Sequence, residues 1–230
     1  MILDALTRED VQKVREWRNA DLTPWRTTYL LTAGMQEDFY RKYVDSRNSP
    51  HRYWAIKDED KFVDGDVGYR FPARKGTLIG MGGLTDISPE NRNAEITLTI
   101  DPALAGKGYG EKAVGLIYDQ AFNYMNLDNV YGEVYWCNEK GVNFWDKIVE
   151  KYRGRRVILP NRKYWKGQYY DSDYFNITRE GFNGKMQDMR DTPYSPTVTV
   201  AAGPMSSLSK SDEEEARRLL GAEKRTRKTM

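Results

Sequence analysis

The sequence predicts one α/β domain followed by a tail of different texture. Three observations carry that reading. Residues 93–125 combine two periodicities. Ile96, Leu98 and Ile100 alternate with Glu95, Thr97 and Thr99, the period of a half-buried strand. Val114, Ile117, Tyr118, Ala121, Phe122 and Met125 then recur at helical spacing, one buried helical face. The apolar run Val130–Tyr135 reads as the next strand, so strand, helix and strand predict a right-handed parallel crossover. From Gly181 onward Pro193, Ser195, Pro196, Gly203 and Pro204 replace the periodic pattern. The expected division is a folded domain over 1–181 and a flexible linker and tail over 182–230.

Taken in order, Met1–Leu6 reads as a short edge strand. Thr7 and Asp10 are spaced as a helix start, and Val11, Val14 and Trp17 support a helix over Arg8–Asn19. Phe39, Tyr40 and Tyr43 support a second helix over Gln36–Ser46. Arg52–Lys57 and Thr77–Leu84 read as strands. Between them, Asp58–Gly76 is polar, and its aspartates match no EF-hand spacing, which favours a solvated hairpin excursion. Asn138 is placed to cap a helix over Glu139–Lys151, with Val142, Trp145, Ile148 and Val149 inward. Lys163–Trp165 and Tyr169–Ile177 read as a closing hairpin around Lys166-Gly167-Gln168. Ser211 or Asp212 starts a short helix over Glu213–Ala222, and Lys224–Lys228 is a small basic tail.

The 230 residues carry a formal net charge of +2 with 30% charged side chains, so no strong overall field points to nucleic acid or membrane. A mean hydropathy of -0.79 and the lack of a long apolar run exclude a spanning helix. Met1–Asp4 shows no basic-then-apolar leader, so no signal peptide is expected. Cys137 is the only cysteine and His51 the only histidine, so no internal disulfide and no metal site is expected. A reducing cytoplasm is the expected compartment.

The segment Ala105-Gly106-Lys107-Gly108-Tyr109-Gly110 lies between the strand and the helix. Alternate glycines let backbone N–H groups converge, and a helix N-terminus adds unpaired donors and partial positive charge. On spacing alone, a diphosphate cradle and a plain tight turn are both open. No Gly-Lys-Ser/Thr closes it as in a Walker loop, and the glycines are spaced too tightly for a dinucleotide fingerprint.

The segment resembles the coenzyme-A loop of the GNAT acetyltransferases, Gln/Arg-x-x-Gly-x-Gly/Ala. Gly108 and Gly110 match its small positions, and Ala105 stands where Gln or Arg is usual. Asn93-Ala94-Glu95-Ile96 and Asn138-Glu139-Lys140-Gly141 resemble the family's flanking strand and later helix start. Trp17-Arg18-Asn19, and Arg162, Gly167, Tyr169, Asp171 and Tyr174, resemble the branch of ribosomal-protein alanine acetyltransferases. The resemblance implies a single GNAT-type domain: a mixed, mostly antiparallel sheet of about seven strands with helices on both faces. It implies acetyl transfer from acetyl-CoA to a primary amine. Cofactor contacts are then expected at Thr99, Ile100, Gly106, Lys107, Gly108, Tyr109, Gly110 and Asn138. Acceptor contacts are expected at Trp25, Tyr29 and Asp171.

Three needs of that chemistry single out catalytic candidates. A base must take the amine's proton, and Glu95 is expected in that role, directly or through water. A strand N–H must stabilise the oxyanion; the resemblance implies a bulged, splayed strand there, and Leu98 or its neighbour is expected to supply the N–H. A donor must protonate the thiolate. In the Asn-x-x-Ala-x-x-x-Tyr register this chain has Asn138, Gly141 and Trp145, and an indole N–H is no acid. Tyr109 or Tyr135 is left for the task, or the thiolate leaves unaided. The acceptor stays open among peptide N-termini, nucleotide sugars, small amines and an amine on a modified nucleotide or DNA base. A catalytically silent CoA-binding module is a further alternative. The nucleotide reading rests on Lys151, Arg153, Arg155, Arg156, Arg162, Lys163 and Lys166 interleaved with Tyr152, Tyr164, Trp165, Tyr169 and Tyr170. The competing reading of that stretch is a solvated basic helix end and a hairpin with core aromatics. No oligomeric state is legible.

Overall fold

The computed structural model describes residues 1–58 and 76–184, and the backbone of 63–64 and 70–71. The expected tail helix and basic tail, and most of the linker, lie outside the described residues. Seven strands form one sheet in the order β1-β2-β5-β6-β7-β9-β8. They are β1 (Ile2–Ala5), β2 (Arg52–Lys57), β5 (Leu78–Ser88), β6 (Asn93–Ile100), β7 (Asn129–Tyr135), β8 (Arg155–Trp165) and β9 (Gln168–Thr178). Within the excursion, β3 (Val63–Asp64) and β4 (Arg70–Phe71) pair antiparallel. In the main sheet β6 and β7 run parallel, and the other neighbours run antiparallel.

Helices cover both faces. On one side lie α1 (Arg8–Ala20) and α2 (Ala33–Phe39), which continues through a π turn over Tyr40–Val44. Thr7 and Asp10 close the expected capping box on α1, and Val11 and Val14 are fully buried beside Ala55 and Met81. Each such valine is worth about 1.5–3 kcal/mol of transfer from water. On the other side lie α3 (Tyr109–Asp119), α4 (Glu139–Lys151) and α5 (Arg179–Asn183). Their core joins Val114, Ile117, Tyr118, Phe122 and Ile148 to Ile96, Val130, Phe175 and Ile177 of the sheet.

Three expectations need correction. The closing strand β8 begins at Arg155, eight residues before the expected Lys163, because Pro160 and a left-handed Asn161 (φ 53°) hide its periodicity. Its register slips between Leu159 and Lys163, a bulge that swings Arg162 and Lys163 to new neighbours. The expected bulge of β6 belongs instead to β5: Thr85 faces Glu95 and Ser88 faces Asn93, so the extra residue is on β5, where Asp86 has φ 48°. The expected boundary at Gly181 falls inside α5. Phe182 packs on Tyr118, Phe122 and Tyr152, so α5 belongs to the folded body.

Candidate active site

The site begins where two parallel strands part. β6 and β7 pair at Asn93–Asn129, Ala94–Val130 and Glu95–Tyr131, and the register ends there. Beyond that point β6 continues to Ile100 and β7 to Tyr135, leaving a wedge between them. The Asp101 N–H donates to the Ile79 carbonyl at 2.9 Å, which continues the β5–β6 ladder. By alternation, Thr97 and Thr99 aim their backbone groups at β5, and Leu98 and Ile100 aim theirs at the wedge. The Leu98 N–H therefore faces the wedge and has no β7 residue opposite it. Thr99 is not placed for backbone contact with a bound molecule in the wedge, and its side chain is buried on the opposite face from Leu98.

The glycine loop closes one end of the wedge. After the short 3-10 turn Pro102–Leu104, Gly106 (φ 79°) and Gly108 (φ 80°) take left-handed backbone, and a Cβ at either would meet nothing within 4 Å. The N–H groups of Gly108, Tyr109, Gly110 and Glu111 precede the first bond within α3, from the Lys112 N–H to the Gly108 carbonyl at 3.4 Å. Open space in front of a helix N-terminus, with its partial positive charge, suits a diphosphate. Gly110 has a different reason to be glycine: a Cβ there would stand 3.0 Å from the Phe144 ring, so it lets α4 approach α3. Asn138 caps α4 by accepting the Gly141 N–H at 3.0 Å through Oδ1. Lys107 is exposed. Tyr109 packs against the buried cluster of Ile56, Ile79 and Ala113. Trp145 stacks on Phe175 at 4.7 Å and is a core residue.

On the α1–α2 face, a charged cluster sits at the mouth of the wedge. Alternation along β7 puts Tyr131, Glu133 and Tyr135 on that face, beside Glu95 of β6. Glu133 is 5% exposed and accepts from Arg162 at 2.9 Å and from the Ser172 hydroxyl at 2.7 Å. Burial raises its carboxyl, but the Arg162 and Ser172 hydrogen bonds outweigh that and hold it below the ordinary value of 4.5. Arg26, from the loop after α1, spans the cluster. It donates to Glu95 at 2.8 Å, to the Tyr135 phenol oxygen at 3.1 Å and to Glu133 at 3.4 Å. Partial burial disfavours its charge, but Tyr135 and Glu95 more than restore it. Tyr131 and Tyr174 stack beside it with centroids 5.5 Å apart, and burial pushes both phenols upward with Glu95 adding to the effect.

The loop presenting Arg26 is held from beneath by Lys163. Its ammonium is buried and donates to the carbonyls of Thr23 at 2.6 Å, Trp25 at 2.7 Å and Leu22 at 3.5 Å. Of the expected acceptor residues, Trp25 lies under the Arg18 guanidinium and Tyr29 is 59% exposed. Asp171 accepts the Asn161 N–H at 2.9 Å and so fixes the β8 bulge. Arg26 and Glu133 complete a site in which sequence reasoning named Glu95 as the base, Tyr135 as a proton-donor candidate, and Arg162 and Lys163 only as part of a basic stretch. The alternation of Tyr131, Glu133 and Tyr135 was the signal available for β7. The basic-aromatic stretch is not a continuous track: Lys151 pairs with Glu111, Arg156 with Asp146 and Asp173, and Arg162 with Glu133.

The model of the acetyltransferase (GNAT) domain matches residues 1–148. The chain belongs to the GNAT acetyltransferase family. It is an acetyl-CoA-dependent N-acetyltransferase acting on a primary amine. Among known GNAT enzymes, the Escherichia coli K12 spermidine N(1)-acetyltransferase is 26% identical over 170 residues, 69% of this chain and 90% of that enzyme. The Vibrio cholerae spermidine N(1)-acetyltransferase is 24% identical over 149 residues, 64% of this chain and 76% of that enzyme. The crystal structure of the Vibrio cholerae spermidine N-acetyltransferase with CoA and spermine superimposes with a TM-score of 0.64 at 21% identity, covering 79% of this chain and 96% of that one. These relatives overturn the expected likeness to the ribosomal-protein alanine branch. The motifs behind that expectation build the fold. Trp17 packs in the α1 core, Asp171 holds a bulge and Arg162 neutralises Glu133. None of these reports an acceptor. Among the described residues, no helix is long and apolar enough to cross a membrane.

Proposed function

We propose that this GNAT enzyme acetylates a polyamine of the spermidine class. The observation that carries the reading is the pair Glu95–Glu133 at the mouth of the wedge. Two carboxylates with a phenol oxygen beside them form a seat for a cation, and a cation, Arg26, is held there at 2.8 and 3.4 Å. Polyamines offer ammonium groups in chains, and the similar enzymes from Escherichia coli and Vibrio cholerae bear the name spermidine acetyltransferase.

Acetyl-CoA supplies the acetyl group as a reactive thioester. Gly106, Lys107, Gly108, Tyr109 and Gly110 hold its diphosphate through backbone donors at the start of α3, and Asn138 and Ile100 line its pantetheine arm. The Leu98 N–H, without a β7 partner, donates to the oxyanion as charge develops. Glu95 accepts the proton of the entering ammonium at a carboxylate oxygen, directly or through one water, and frees the amine lone pair. Glu133, locked by Arg162 and Ser172, keeps its charge and holds the amine in place. Trp145 has no acidic proton to give, so the thiolate leaves unaided or takes a proton from the phenol of Tyr109 or Tyr135. A free thiol titrates near pH 8.5, which makes unaided departure feasible.

The test is turnover on a panel of spermidine, spermine, peptide N-termini and amine-bearing nucleotides, followed by thiol release and mass. Acetylated polyamine supports the proposal. Acetylation of peptides or nucleotides with polyamines untouched refutes it.

A further inference from the structure

We propose that Arg26 determines acceptor specificity by acting as an internal stand-in for the acceptor's ammonium. Its guanidinium fills the Glu95–Glu133–Tyr135 seat in the amine-free enzyme and leaves when the amine enters. The inference rests on the reading that the acceptor is cationic.

The geometry gives Arg26 little hold beyond its head group. Its side chain is 65% exposed, and its partner Glu95 is 17% exposed. The backbone before it is fixed by Lys163 at Leu22, Thr23 and Trp25, so the side chain swings out without moving the loop. Glu133 loses little when Arg26 departs, because Arg162 and Ser172 still satisfy it. Glu95 behaves differently. Its carboxylate bonds Arg26 at 2.8 Å, and departure leaves it open toward the wedge mouth, where an ammonium replaces like with like. The departing guanidinium goes to water, where its hydration is restored. An amine that carries a carboxylate gains nothing from the exchange, since it brings a negative charge to Glu95 and Glu133.

Displacing a partly exposed ion pair is cheap, on the order of 1 kcal/mol or less, which corresponds to a penalty of up to about fivefold on acceptor affinity. Calorimetric titration of spermidine into the wild type, Arg26→Met and Arg26→Lys reads this. The Met variant keeps the stem without the charge and is expected to bind spermidine up to about fivefold tighter. The Lys variant is expected to bind near the wild-type level. Acetyl-CoA affinity is expected to stay constant throughout. Methylguanidinium, the isolated head group, is titrated into Arg26→Ala and into the Arg26→Ala, Glu95→Gln double variant. Binding to the first and not the second is expected. Weaker or unchanged spermidine binding in Arg26→Met means that Arg26 merely positions Glu95, and overturns the inference. If spermidine binds neither protein, the polyamine reading fails. The methylguanidinium titration then still decides the seat: its absence in Arg26→Ala overturns the inference, its presence upholds the seat for another cationic amine.

Discussion

Replacing Gly108 with valine tests the cofactor loop in a way that separates strain from binding. Gly108 has φ 80°, and a Cβ would meet nothing within 4 Å, so the variant does not clash with the protein. Two effects remain. Left-handed backbone costs a β-branched residue about 2 kcal/mol. For a folded unit of this size that lowers the melting temperature by roughly 4–8 °C. The branched side chain also fills the open space before the N-terminus of α3, where the diphosphate donors point. CoA affinity is expected to fall by at least about tenfold, the loss of ~1.4 kcal/mol of anion binding. The control is Gly167→Val in the β8–β9 turn, also left-handed at φ 89° with nothing within 4 Å. It carries similar strain without facing the wedge. Melting curves with and without CoA read both effects. At one hundred times the wild-type Kd the wild type is expected to gain about 2.7 kcal/mol from CoA, as is Gly167→Val, and Gly108→Val about 1.4 kcal/mol or less. Near wild-type CoA affinity in Gly108→Val would refute the loop assignment.

Three further outcomes follow from the site. Glu95→Gln is expected to lower kcat/KM for spermidine by on the order of a hundredfold near neutral pH, the usual range for a lost general base, with the gap narrowing as alkaline pH frees the amine unaided; an unchanged rate removes Glu95 from the mechanism. Lys163→Met leaves the Thr23 and Trp25 carbonyls without their donor, and a net loss of about 2–3 kcal/mol, roughly 5–10 °C in melting temperature, is expected. A drop under about 2 °C shows that the buried ammonium costs as much as its bonds return. The Glu133 carboxyl sits below 4.5 when folded, so its contribution is complete above that pH and is lost as pH falls through its folded value. Melting temperature is therefore expected to fall less steeply below pH 4.5 in Glu133→Gln than in the wild type, and parallel curves contradict the lock.

Much of the fold was legible because local pattern and tertiary burial agree. The alternation of Ile96, Leu98 and Ile100 and the helical spacing from Val114 to Phe122 both point into one core. The capping box at Thr7 and the Asn138 cap were legible as side-chain chemistry at fixed offsets. β8 was not, since Pro160 and Asn161 break its period and a bulge, not alternation, decides where Lys163 points. The site divides in the same way. Gly106 and Gly108 stand out in the sequence as alternate glycines, whereas the packing of Gly110 on Phe144 could not be read, because Phe144 lies 34 residues on in the chain. Arg26 had no local signal. It sits in an aperiodic loop, and its partners Glu95, Glu133 and Tyr135 come together through strand order alone.

The central claim, acetyl transfer to a polyamine at the Glu95 seat, is tested most directly by one incubation. Spermidine, a peptide with a free N-terminus and an amine-bearing oligonucleotide are offered together with acetyl-CoA, and products are read by mass. The account predicts the acetyl increment on spermidine with wild-type protein, and its near loss in Glu95→Gln and in Gly108→Val. Unmodified spermidine beside an acetylated peptide or oligonucleotide would contradict it.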